Sequence, residues 1–189
     1  MLAIDSVRAV LSTRAARAAT SSSKRARVGT LELVYGTVRT QDVAGDGNCY
    51  FRALAHQLNG GRVASSDVGF DNLRLQVAAY AANHPELEST FLPFFDLAAD
   101  PDWTWQSVVD HVQLNSAWRN QSSDIVLGRL AASFLGRIVH ILQEATPPQT
   151  FEPIDSDSAQ TAHVLPPLVL FRIGEGQVGG HFRSVIRDE

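Results

Sequence analysis

Apolar side chains along this chain change their spacing once. Between residues 50 and 135 they return every three or four positions, the period of a helix with one inward stripe; from residue 137 they cluster or alternate, the habit of strands. Tyr50, Phe51, Leu54, Ala55 and Leu58 form the first stripe, and Asn59-Gly60-Gly61 ends it as a helix C-cap does. A second helix is predicted over Asp71–Asn83, with Leu73, Val77 and Tyr80 inward and Pro85 as its stop. Glu86–Leu97 reads as a third, broken at Pro93. Asp102–Leu114 reads as a fourth, with Trp105, Val108, Val109 and Val112 on one side. Ser123-Asp124 caps a fifth, Ile125–Leu135, which Gly136 closes.

Arg137–Leu142 is a β-branched run suited to a buried strand, and Leu168–Ile173 is another. In the segment His181–Arg187, Phe182, Ser184 and Ile186 fall on one side and Arg183, Val185 and Arg187 on the other. Between the first two strands, Pro147–Pro167 is proline- and acid-rich and predicts a long surface loop. Thr30–Val38 suits a short strand or a helical turn. Helices first and strands later predict an α+β domain, a small sheet packed against helices. Thr20-Ser21-Ser22-Ser23-Lys24 reads as a linker, which divides the chain into a flexible basic leader over 1–29 and one folded domain over 30–189.

Composition changes this picture little: 44% of the 189 residues are hydrophobic and 19% charged. Charge placement says more. The leader holds six basic residues against Asp5 alone, leaving 10 basic and 19 acidic residues in the rest of the chain. An acidic body argues against nucleic acid as the partner and suits a basic protein substrate. The leader lacks an unbroken apolar segment with a cleavage site, so it is a poor secretory signal. It reads as a mobile leader, a transit peptide or a nuclear-localisation patch at Lys24-Arg25-Ala26-Arg27. No apolar run reaches the ~18–20 residues of a membrane-spanning helix.

One cysteine excludes an intrachain disulfide and a cysteine-cluster zinc site, fits a reducing compartment, and needs no metal or cofactor. That residue, Cys49, stands where Gly45-Asp46-Gly47-Asn48 runs into the first helix. A thiol at a helix N-terminus feels unpaired backbone N–H groups and the positive end of the helix dipole, which favour the thiolate. The ordinary alternative is a buried cysteine acting as a small hydrophobe, and the flanking glycines weigh against it.

A thiolate nucleophile needs a base and a place for negative charge. Of six histidines, His56, His84, His111, His140 and His163 read as surface or packing residues. His181 differs, because it follows the glycine-rich stretch Gly174–Gly180 and opens the last strand, where a pliable loop meets a rigid element. The backbone N–H groups of Asp46, Gly47, Asn48 and Cys49 are the candidate oxyanion hole. Asp46 also suits a turn or cap position through its carboxylate.

Asp46-Gly47-Asn48-Cys49-Tyr50-Phe51-Arg52, followed far downstream by His181-Phe182-Arg183-Ser184-Val185, resembles the ovarian tumour (OTU) family of cysteine-type deubiquitinases. The Leu73-Arg74 helix, the Trp118…Asp124-Ile125 entry into a helix and the Ala131…Leu135-Gly136-Arg137-Ile138 passage into a strand are similar to it and in the same order. The resemblance covers roughly residues 38–187. It implies a papain-like fold, Cys49 as nucleophile, His181 as general base and Asp46 shaping the oxyanion loop. Hydrolysis of the isopeptide bond after the C-terminal glycine of ubiquitin would follow, with ubiquitin or polyubiquitin as partner. Gly179, Gly180 and Trp118 would lie on the approach of the ubiquitin tail. A monomer in the cytoplasm or nucleus is expected, or in a host cytosol if the chain is a secreted effector.

One departure stands out. Many members carry Asp or Asn two residues after the histidine, to orient the imidazole; here that position is Arg183, which accepts no hydrogen bond. Asp46, Asp42 or a backbone carbonyl must then supply the third group, with Asp46 ranked first. A catalytically weak ubiquitin-binding module and a papain-like protease for another ubiquitin-like modifier are the alternatives.

Overall fold

The computed structural model of the chain describes residues 28–33, 36–63, 65–94, 103–114, 121–144, 146–155, 159–160, 162–174 and 180–187. Six strands form one sheet: β1 (Val28–Leu33), β2 (Gly36–Gln41), β3 (Val139–Leu142), β4 (Gln149–Phe151), β5 (Leu168–Ile173) and β6 (His181–Val185). Among the described residues, five α-helices accompany the sheet: α1 (Cys49–Leu58), α2 (Phe70–Asn83), α3 (Glu88–Phe91), α4 (Trp105–Gln113) and α5 (Gln121–Leu135). The predicted α+β architecture is the one observed.

Strand order across the sheet is β1-β2-β6-β5-β3-β4, so the last strand in sequence fills the middle of the sheet. It pairs antiparallel with β2 on one side and with β5 on the other. β3 and β5 are the parallel pair. Helix α1 packs against β6 and β5, α2 lies between α1 and α4, and α5 covers β3 and β4. The core between these layers is built from Tyr50, Phe51, Leu54, Leu73, Phe91, Leu130, Ile141, Leu168, Leu170 and Phe182. Tyr50 secures three layers at once, because its hydroxyl donates to the Leu127 carbonyl at 3.0 Å and its ring meets Phe182 edge-on at 5.1 Å.

Local sequence explains the element ends. Gly60 and Gly61 adopt φ of 117° and 68° just past α1, and the Gly61 N–H returns to the His56 carbonyl at 3.0 Å, the predicted C-cap. Thr104 caps α4 reciprocally with Ser107. Trp105 Nε1–H donates to the Ala81 carbonyl at 3.1 Å, fixing α4 on the end of α2.

Three expectations change. The first strand begins at Val28, inside the stretch assigned to the leader; the rest of that stretch, 1–27, lies outside the described residues. The predicted third helix is broken earlier than Pro93, into a 3₁₀ turn Pro85–Leu87, the four-residue α3 and a second 3₁₀ turn Leu92–Phe94. The proline-rich segment is not all surface loop, because Gln149–Phe151 forms β4 on the edge of β3 and Phe151 is buried against α5.

Candidate active site

Gly47 adopts φ 79°, a left-handed turn that glycine takes without penalty, and the chain then enters α1 at Cys49. Asp46 closes the turn: its Oδ1 accepts the Asn48 N–H at 3.1 Å. The same carboxylate receives Arg52 from one helical turn on, at 2.7 Å for the nearest pair. Burial pushes the Asp46 carboxyl up, but the Arg52 hydrogen bond and the Asn48 N–H outweigh it and hold the group below its ordinary value. Arg52 also reaches Asp67 at 2.8 Å and lies over the Phe70 ring at 3.7 Å, so this corner of the loop is strapped to the start of α2.

Asn48 stands at the N-cap of α1 without capping it. Its Oδ1 accepts instead from the buried Arg74 guanidinium of α2 at 2.5 Å. Arg74 donates further to the carbonyls of Val112 at 2.7 Å, His111 at 3.1 Å and Gly47 at 3.5 Å. Burial lowers its pKa, opposed by the Asp46 charge.

Cys49 is 4% exposed at the head of α1, and His181 opens β6 beside it. A hydrogen bond with the Cys49 thiol is the largest influence on His181; burial opposes it, and a bond to Asp42 adds to it, so the imidazole pKa rises above its ordinary value. Asp42 Oδ1 lies 2.7 Å from His181 Nε2, which leaves Nδ1 for the thiol. The backbone of Gly45 lines that side: a Cβ there would sit 3.5 Å from Nδ1.

The sequence ranking of the third group is thereby corrected. Asp42 holds the imidazole, while Asp46 is engaged by Arg52 and the Asn48 N–H. Arg183 takes part differently from an acceptor at its position, its Nε lying 3.4 Å from the same Asp42 oxygen. Among the candidate oxyanion donors, the Asn48 N–H is committed to Asp46. Gly180 has a packing reason to lack a side chain, since a Cβ there would meet the Arg172 guanidinium at 2.8 Å. Gly179 and Trp118 lie outside the described residues.

Residues 44–182 match the model of a protein family described as OTU-like cysteine protease. The chain belongs to the OTU family. A curated relative, deubiquitinase OTUD6B of Xenopus tropicalis, is 29% identical over 168 residues, covering 87% of this chain and 50% of that protein. This OTU chain therefore spans about half the length of the curated relative it matches. The Hazara virus OTU, solved bound to ubiquitin, shares the fold at a TM-score of 0.51 and 15% identity, over 87% of this chain and 92% of that one.

Two features of this OTU site weigh more than local sequence suggests: Asp42 ranks behind Asp46 there, and Arg74 stands out only as part of the Leu73-Arg74 helix. Asp42 carries no local motif; only the strand register points to it. Arg74 left a weak signal, a charged residue beside the inward stripe of α2. The remaining histidines fall as expected, and His56 is the fully buried one, with Nδ1 2.7 Å from Ser184 Oγ. Burial lowers the His56 pKa against the pull of the Arg62 backbone and Asp67.

Proposed function

We propose that this chain is a cysteine-dependent deubiquitinase that cleaves the bond after the C-terminal glycine of ubiquitin. The observation that carries the reading is the Asp42–His181 contact at 2.7 Å, on an imidazole whose pKa the Cys49 thiol raises, in a chain of the OTU family. The relative's name and the ubiquitin complex of the viral domain support ubiquitin as the modifier.

In this mechanism His181 Nδ1 takes the thiol proton and Asp42 stabilises the imidazolium from the Nε2 side. Cys49 Sγ attacks the carbonyl carbon of the terminal glycine, and the tetrahedral oxyanion is held by the N–H groups of Cys49 and Gly47. As the C–N bond breaks, His181 gives its proton to the leaving lysine amine. Neutral His181 then takes a proton from water, which attacks the thioester and frees ubiquitin and the Cys49 thiol. The case for a binding-only module rested on Arg183 being unable to orient the base. Asp42 on the imidazole weakens it.

The test is ubiquitin bearing a thiol-reactive group at its C-terminus, incubated with wild type, Cys49→Ala and His181→Ala and read by intact mass. The proposal expects one adduct on wild type, none on Cys49→Ala and slow capture by His181→Ala. A folded wild type that stays unmodified would shift the reading to another modifier or to binding alone.

A further inference from the structure

Arg74 is buried, and it donates to three backbone carbonyls and one side-chain amide drawn from two separate places in the fold. The first place is the end of α4. The carbonyls of His111 and Val112 belong to its last turn, where helical C=O groups lack intrahelical partners and carry the negative end of the dipole. A guanidinium there is both a cap and a favourable charge.

The second place is the loop before Cys49. Arg74 takes Asn48 Oδ1 and the Gly47 carbonyl, while Asp46 takes the N–H of the same Gly47–Asn48 peptide. That peptide is thus gripped on its C=O edge by Arg74 and on its N–H edge by Asp46. Its two neighbours in the chain are the peptide units that carry the Gly47 and Cys49 N–H groups. Their direction follows from how it is held.

We infer that Arg74 is a positioning residue that ties the end of α4 to the oxyanion loop and fixes the direction of its donors. The inference rests on the hydrolase reading above. A planar fork reaches both places at once, which a single ammonium cannot do. These four bonds go to the end of α4 and to the loop, so the loss of Arg74 is expected to act on the stabilisation of the oxyanion and to leave the thiol–imidazole pair intact.

The full chain is assayed on ubiquitin carrying a fluorogenic C-terminal amide, and Cys49 is separately alkylated with iodoacetamide across pH, a reaction that forms no oxyanion. Arg74→Met is expected to lose about 10²-fold in kcat, the scale of a small misplacement at a reacting centre, with KM within about threefold. Its alkylation profile should follow that of wild type. Arg74→Lys should recover part of kcat. Should Arg74→Met fail to fold, Asn48→Ala decides, since it releases the loop but keeps the carbonyls of α4 capped; the same kcat loss is expected. An unchanged kcat in the folded variant, or an alkylation profile that shifts with it, overturns the inference while leaving the hydrolase reading in place. No turnover by wild type overturns both.

Discussion

Asp42 and His181 meet at 2.7 Å because of strand register. β2 pairs Thr40 with Val185 and Gln41 with Ser184; continued by one residue, this sets Asp42 opposite Arg183 and diagonal to His181. The carboxylate is delivered by the sheet rather than by the cysteine motif. Asp42→Ala, which removes the acceptor outright, should therefore lower kcat by about 10²–10⁴-fold, the range of an impaired general base. Asp46→Ala frees the N–H edge of the Gly47–Asn48 peptide and the Arg52 strap; it should lower kcat by about 10²-fold and stability by about 1 kcal/mol without lowering the His181 midpoint. Turnover of a ubiquitin amide, an NMR titration of His181 and urea melts of both variants check this; a His181 midpoint that falls in Asp46→Ala would return the orienting role to Asp46.

The raised pKa of His181 has a sign that can be followed in stability. Its causes are the Cys49 hydrogen bond first, then Asp42, against burial. The protonated ring is favoured in the fold, so its contribution is fully present below the unfolded pKa of about 6.5 and fades as pH rises through the higher folded value. Cys49→Ala and Asp42→Asn should each lower the His181 midpoint in an NMR titration, Cys49→Ala by more. Their stability deficits should be larger near about pH 5.5 than near about pH 8.5. A deficit that grows with pH would contradict this.

Gly128 lies in α5 where a Cβ would stand 2.5 Å from the Phe151 ring. Helix propensity alone would reward alanine by about 1 kcal/mol, but overpacking of that severity costs about 1–3 kcal/mol. Gly128→Ala should therefore destabilise, and Phe151→Leu in the same chain should recover part of the loss. A double-mutant cycle in denaturant measures the coupling.

Ser184 joins α1 to β6 behind the site. Its Oγ receives Gln57 Nε2 at 2.7 Å and lies 2.7 Å from His56 Nδ1. Gln57 also spans the sheet, accepting from Val169 N–H at 3.3 Å and from Arg187 at 3.1 Å. Ser184→Ala leaves buried nitrogens without this partner and should cost about 1–3 kcal/mol. Equilibrium unfolding checks it; a neutral result would mean that the cluster rearranges.

Helices α1, α2 and α5 were legible because each carried its own punctuation: Gly60-Gly61 after α1, Pro85 after α2 and Gly136 after α5. Strands β5 and β6 were legible from β-branched and alternating runs. β4 was not, because three residues in a proline-rich setting carry no period and are held by pairing with β3 and by Phe151 against Gly128. At the site, Cys49 and His181 were recognisable from local context. Asp42 and Arg74 reach the site across the fold, from the end of β2 and from α2, so local context ranks Asp42 behind Asp46 and marks Arg74 only as part of the Leu73-Arg74 helix. Asp46 drew the attention that Asp42 needed because it sits inside the motif.

The central place of β6 also sets a timetable. Until residues 181–185 are available, the β1–β2 ribbon has no strand joining it to β5, and a two-stranded ribbon alone is marginal in water. On the proposed reading, a growing chain therefore carries its thiol long before its base, and Asp42 has no imidazole to meet. Hydrolytic capability would then arrive only with the closing of the sheet, and a half-made copy would lack it.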